Sequence, residues 1–272
     1  MSGHTTKTGG SDWPVWVGEY FILSKSASIA VSTLASDGLA ESVAGLKPEG
    51  LCIIGKTETE NIGIDKIVKN TVANSAIRFL IVTGRDPQGH CSGASLLALA
   101  KRGIDNKGRI IGSPGKHPVL MNSTKDEVEI FREQVEVVDM IGSEDTIELI
   151  SKIESLRDRQ LGPFMKQMAE GALFTPEIVT VEGNKDKQHR LDKKGYFVLL
   201  PDCETNDIIV EYYAYDNRLL KAIRGNNARD LYTAIIKNGW ISELSHAAYI
   251  GKELEKAELS LRYGFKYVQD GA

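Results

Sequence analysis

The sequence predicts an α/β protein: a parallel sheet with helices on both faces, followed by a smaller α+β module. Short β-branched runs alternate with segments of helical period through the first half of the 272 residues, the pattern of strand–helix–strand units. Those runs are nearly continuous in apolar residues, as strands buried on both faces require. A densely charged stretch, residues 183–194 (GNKDKQHRLDKK), then precedes a half of different pattern.

Residues 1–12 are polar and rich in Gly, Ser and Thr, without an apolar run, and read as a disordered tail. Strands are expected over 28–34 (SIAVSTL), 51–55 (LCIIG), 77–84 (IRFLIVTG), 109–112 (RIIG) and 137–141. Between the second and third, Ile64, Ile67, Val68, Thr71 and Val72 recur at helical spacing, so residues 61–74 form a crossover helix. Residues 91–102 form another, closed by Gly103. Ser123 or Thr124, with Glu127 following, signals the N-cap of a helix running to Val135. A long amphipathic helix is expected over 143–170, and the charged stretch after it is expected to be a solvated linker. In the second half, 195–200, 208–215 and 219–223 are strand-like, with Asp216-Asn217 as a hairpin turn. Helices over 228–238, ended by Gly239, and 242–262, ended by Gly264, complete it. The expected domains are 13–171 and 172–272.

A net charge of −4 gives no global basic field to draw nucleic acid. The longest apolar runs, 79–82 and 96–100, fall far short of the roughly 18 residues of a spanning helix, so no membrane span is expected. Three widely spaced cysteines form no disulfide framework and suit a reducing compartment, with cytoplasm as the expectation. Walker loops, zinc spacings and nucleophilic triads are absent from the sequence.

The chemistry concentrates in residues 84–93, GRDPQGHCSG. A buried strand ends at Gly84, Pro87 and Gly89 force a loop, and a helix begins near Cys91 or Ser92. In open parallel sheets, ligands bind beyond the carboxyl ends of the strands, which is where His90 falls. Gly89 and Gly93 would let a flat ligand approach the backbone. The residues alone leave His90 as either a hydrogen-bonded structural histidine or a ligand. After the second strand, Glu58, Glu60 and Asn61 stand at a helix start, where carboxylates suit the macrodipole. In a third loop, 112–118, His117 is expected to be a surface residue.

Residues 13–20 (WPVWVGEY), 29–36 (IAVSTLAS), 56–68 (KTETENIGIDKIV), 77–93 and 107–112 (KGRIIG) together resemble the A subunit of tetrahydromethanopterin S-methyltransferase, over about 13–141. The resemblance implies a Rossmann-like corrinoid (cobalamin) domain whose cobalt takes its axial ligand from the histidine of Gln88-Gly89-His90. Thr59, Glu60, Asn61 and Gly93 would lie on the corrinoid-binding face. It implies methyl transfer from a methylated reduced pterin through cobalt, alongside other methyltransferase subunits, here in a form expected to lack a membrane anchor. A homo-oligomer is left open. The ligating imidazole must be neutral, so coordination competes with protonation, and its second nitrogen needs a partner, for which Asp86 and Ser92 are the candidates.

Residues 246–258 (HAAYIGKELEKAE) are similar to a module of pterin-related proteins, including relatives of dihydropteroate synthase and thymidylate synthase. On a helix, His246, Tyr249 and Glu253 share a face that could hold a pterin. In the alternative reading, His246 merely caps the helix while Ile250, Leu254 and Leu261 form the core. Two other functions stay open: a pterin-binding enzyme or module without cobalt, and a scaffold that has lost its cofactor.

Overall fold

The computed structural model describes residues 13–166, 179 and 192–270. The chain divides into two compact units between Val179 and Thr180, and each is described by itself.

The first unit runs β1 (Tyr20–Ile22), β2 (Ile29–Ser32), α1 (Leu39–Leu46), β3 (Leu51–Gly55), α2 (Ile62–Val72), β4 (Phe79–Gly84), α3 (Ser92–Arg102), α4 (Lys125–Gln134), β5 (Glu136–Ile141) and α5 (Thr146–Arg157). The sheet order is β1-β3-β2-β4-β5. β2 pairs in parallel with both β3 and β4, β4 pairs in parallel with β5, and only β1 is antiparallel, on the edge beside β3. Strand order therefore reverses at β2: the chain goes to one side for β3 and to the other for β4. That is a topological switch point.

Alternation along the strands builds two cores. Ile29, Val31, Ile54, Phe79 and Ile81 meet α1 and α5 on one face. Ala30, Cys52, Leu80 and Val82 meet α2, α3 and α4 on the other. Inside this second layer, Lys69 of α2 donates to Glu127 of α4 at 2.6 Å, both side chains being buried. Thr124 and Glu127 form the expected capping box at the start of α4.

Three expectations need correction. Residues 109–112 are not a strand: they make only isolated bridges, Ile104 with Ile110 and Arg109 with Val119. Gly108 and Gly112 hold positive φ on either side, and the Asp105 carboxylate accepts the Lys107 and Arg109 N–H groups, so a turn wins over pairing. The long helix ends at Arg157, because Gln160 turns left-handed (φ 47°) just before Gly162 and Pro163; residues 167–170 lie outside the described residues. Finally, β1 and α1 lie outside the strands and helices expected from the sequence. α1 starts behind a left-handed Gly38 with no side-chain cap, so it carries no start signal.

In the second unit, β6 (Tyr196–Asp202), β7 (Asp207–Tyr213) and β8 (Leu219–Gly225) form an antiparallel sheet, followed by α6 (Ala228–Lys237) and α7 (Leu244–Tyr263). Asn217 takes positive φ in the expected hairpin turn, and Gly264 closes α7. Phe197, Val210, Leu231, Ile235, Ile250 and Leu254 make its core. Of the expected linker, residues 183–191 lie outside the described residues, but Asp192 is fully buried. Burial pushes its carboxyl up, yet donors from Ser242, Glu243 and Lys194 outweigh that and hold it far below the usual carboxylate range. No helix among the described residues is long and apolar enough to cross a membrane.

Candidate functional site

The end of β4 is drawn tight against the loop after β2. Gly84 holds φ 86°, and a side chain on it would collide with Thr33 and Ser36. Arg85 N–H donates to Ser36 Oγ at 2.7 Å, and Ala35 N–H to the Arg85 carbonyl at 3.1 Å. From this anchor the loop climbs through Pro87, exposed Gln88 and Gly89 (φ 84°) to His90. The Asp86 carboxylate turns back to accept the Gly93 and Ala94 N–H groups at 2.8 and 3.0 Å, capping α3 where negative charge suits the helix N-terminus.

His90 stands at the crest, its side chain 52% exposed. Its Nδ1 lies 2.6 Å from Glu60 Oε2, and Glu60 is 1% exposed. The other carboxylate oxygen, Oε1, accepts the His117 backbone N–H at 2.7 Å. Three loops thus converge: the one after β3 supplies Glu60, the one after β4 supplies His90, and residues 112–118 close over both. Gly115 makes that closure possible, since a Cβ there would lie 2.6 Å from Glu60 Cγ and from the His90 carbonyl. Burial raises the Glu60 carboxyl, but hydrogen bonds from His117, from its own backbone and from His90 outweigh it, and the net displacement is downward. An ionised Glu60 beside Nδ1 favours the tautomer with the proton there, which leaves the lone pair on Nε2 of a half-exposed side chain.

The expected partners of the imidazole are therefore replaced. Asp86 is committed to α3, and Ser92 Oγ donates to the Thr57 carbonyl at 2.5 Å; Glu60, expected on the ligand face, takes the role. Thr59 and Asn61 serve the start of α2, accepting the Gly63 and Ile62 N–H groups, and Asn61 also donates to the His117 carbonyl. The space beside Gly93 is filled by Leu34 and Ile141, so its missing side chain lets α3 pack onto the sheet. A Cβ on Gly89 would first meet the Lys116 side chain, at 3.1 Å. His117 is exposed, as expected, and contributes its backbone. Among the described residues, no group of three or more His, Cys, Asp and Glu could hold a metal ion by itself.

In the second unit the face of His246, Tyr249 and Glu253 is not open. His246 and Glu253 are each 2% exposed. The Asp192 N–H donates to His246 Nδ1 at 3.1 Å, and the imidazole packs against Phe197 and Tyr249. Glu253 accepts from Lys256 and from Tyr267, both at 3.1 Å.

The family model described as the A subunit of tetrahydromethanopterin S-methyltransferase matches residues 6–173, and a second, described as PterinBD-DUF4346, matches residues 191–270. The chain is similar to the A subunit of tetrahydromethanopterin S-methyltransferase from Methanococcus aeolicus, 38% identical over 178 residues, 65% of this chain and 70% of that one. It is similar to the A subunit of the putative methyltransferase Mtx from Methanosarcina acetivorans, 40% identical over 182 residues, covering 67% and 83%. The tetrahydromethanopterin S-methyltransferase A subunit of Methanocaldococcus jannaschii is 37% identical over 174 residues, 64% of this chain and 68% of its own length.

Proposed function

We propose, from the premise that this chain belongs to the family of the tetrahydromethanopterin S-methyltransferase A subunit, that residues 13–171 hold a corrinoid, with His90 Nε2 as the protein's ligand to its cobalt. The chain then carries methyl groups from a methylated reduced pterin, alongside other methyltransferase subunits. Cytoplasmic action is part of the same reading, which three free cysteines support.

The observation that carries this is the buried carboxylate behind a half-exposed imidazole. It is the arrangement by which proteins orient histidine ligands and raise their basicity. One imidazole is no metal cage, but a corrinoid would bring its cobalt already bound and would need only one donor from the protein. Bound there, the corrinoid supplies a cobalt centre able to accept and release a methyl group. The protein's own part is positional. Glu60 fixes the tautomer, Gly115 and the His117 N–H clamp Glu60, and Asp86 secures the helix that carries the loop onward. Thr59 and Asn61 hold the Glu60 loop to α2. Gln88, exposed beside His90, offers amide donors and acceptors to a corrin's polar rim, Gly89 keeps that crest low, and Gly93 seats α3.

Anaerobic reconstitution with hydroxocobalamin tests the reading. The full chain is expected to retain about one cobalt per chain after gel filtration, and His90→Ala is expected to change the absorption spectrum of whatever corrinoid remains. A spectrum and affinity untouched by that substitution would remove His90 from the site.

The second family model supports a further reading, in which residues 172–272 bind a pterin. The buried, satisfied His246 and Glu253 leave no ready polar face on α7, so binding would use other surface. Calorimetry of the full chain with tetrahydrofolate is expected to show heat if this unit binds pterins; a flat titration sets the reading aside.

A further inference from the structure

Beside the His90 crest lies a strongly basic surface, in a chain whose net charge is −4. Residues 101–117 carry Lys101, Arg102, Lys107, Arg109 and Lys116 against a single acid, Asp105. All of these cations are exposed, and among the described residues none forms a salt bridge or a side-chain hydrogen bond. Asp105 is committed to its turn, accepting the Lys107 and Arg109 N–H groups at 2.8 and 2.9 Å. Glu129, which lies against Gly103, is neutralised by Arg132 at 2.7 Å. The excess charge is therefore left unanswered.

The backbone spreads these cations over one face instead of converging them on a point. Arg102 lies on Gly112, where a side chain would collide with the guanidinium. Bridges of Ile104 with Ile110 and of Arg109 with Val119 fold the segment back on itself. Lys116 Nζ would lie 3.2 Å from a Cβ on Gly89, one residue before His90, and the next N–H along the chain holds Glu60. Apolar side chains stand out of the same surface. Met121 is 80% exposed and Ile111 43%; Ile62, next to the Asn61 that donates to the His117 carbonyl, is 58% exposed. Exposed aliphatic groups among cations have the composition of a protein–protein contact, where Met and Arg are enriched. Single-stranded nucleic acid asks for stacking aromatics, and residues 101–121 contain no Phe, Tyr or Trp. A membrane surface asks for an amphipathic helix, and no helix lies between Arg102 and Lys125.

We infer that this face docks an acidic protein surface, with Met121 and Ile111 as apolar contacts and Lys107, Arg109 and Lys116 as steering charges. The inference rests on the proposed function for the partner's role: the face adjoins the loop that presents His90, so the docked protein is one that exchanges methyl groups with this site.

The test uses the full chain, with and without hydroxocobalamin, and four probes. These are poly-L-glutamate, a random glutamate–tyrosine copolymer, an oligothymidylate, and vesicles of equal parts phosphatidylcholine and phosphatidylglycerol. Both acidic polymers are expected to bind, and more weakly as salt is raised, because exposed charges are screened beyond about 8 Å at physiological ionic strength. The copolymer should bind about 3- to 10-fold tighter than the homopolymer, and Met121→Ser with Ile111→Ser should close that gap. Lys107→Glu with Lys116→Glu should weaken both polymers about tenfold or more. Lys237→Glu with Lys252→Glu, an equal change of net charge in the second unit, should weaken them less than about twofold. Equal losses in the two pairs, or tighter binding of the oligothymidylate or the vesicles than of the copolymer, overturn the inference. So does a dimer in gel filtration that the Lys107 and Lys116 reversals dissociate, since a second copy then covers the face. Cobalt retained without polymer binding removes the docking face and leaves His90 ligation standing. Polymer binding that the Lys107 and Lys116 reversals abolish, in a chain that retains no cobalt, supports the face and removes the proposed function instead.

Discussion

Glu60→Gln is expected to lower the affinity of the chain for cobalamin by about 10- to 100-fold, the usual cost of losing the group behind a ligating histidine. Two donors converge on this carboxylate, the His117 N–H at 2.7 Å on one oxygen and His90 Nδ1 at 2.6 Å on the other. A glutamine has one acceptor oxygen and one NH₂. If its oxygen stays with His117, its NH₂ faces Nδ1, the imidazole must accept there, and the proton moves to Nε2. The outward nitrogen then has no lone pair for cobalt. The substitution changes no volume, so the fold should survive, and circular dichroism should match the parent. Titration with hydroxocobalamin, followed by its absorption, reads the effect. An affinity within twofold of the parent would mean that Glu60 does not set the tautomer.

The pH dependence follows with its sign. Glu60 is held below the ordinary carboxylate range, so its contribution to stability is complete above its unfolded value and is lost only as pH falls through its depressed folded one. The three loops should therefore hold together through mild acid and loosen only at lower pH, which circular dichroism followed against pH would read.

Much of this is legible in the sequence, for reasons tied to particular residues. The strands at 51–55 and 77–84 can be read because burial on both faces leaves few polar residues to break the run, and the edge strand at 137–141, only half-buried, is still broken by Asp139 alone. Thr124 with Glu127, Gly103 and Gly264 announce helix ends because capping is local chemistry. What is not local stays hidden. Glu60 and His90 are 30 residues apart in sequence, and only the return of β4 beside β2 brings their loops together. Read singly, Glu60 looks like a helix-capping carboxylate, and Asp86 and Ser92 look like nearer partners. Gly93 looks like room for a ligand, but Leu34 and Ile141 occupy that room.

Lys69→Met should be the most destabilising of the changes considered, at about 3–5 kcal/mol. Lys69 and Glu127 are 2% and 0% exposed, with Nζ 2.6 Å from Oε1. Removing the lysine leaves a carboxylate in an apolar layer formed by Ile64, Val68, Val128 and Phe131. The Thr124 N–H still reaches its other oxygen at 2.6 Å, which is too little to replace the lost ammonium. For a unit of this size the midpoint of thermal unfolding should fall on the order of 10 °C. Adding Glu127→Gln should recover most of the loss, because the uncompensated charge is gone and the amide oxygen can still cap Thr124; about 1–3 kcal/mol remains for an NH₂ without an acceptor. A single variant costing under about 1 kcal/mol would mean that water reaches the pair, and α2 and α4 would then not be joined through a dry layer. The prediction bears on the site because α2 carries the Glu60 loop at its start and Lys69 near its end. Whatever loosens α2 from α4 also loosens the floor under His90, so the destabilised chain should lose cobalamin affinity in step with its unfolding midpoint, whereas Glu60→Gln should lose it with the midpoint nearly unchanged.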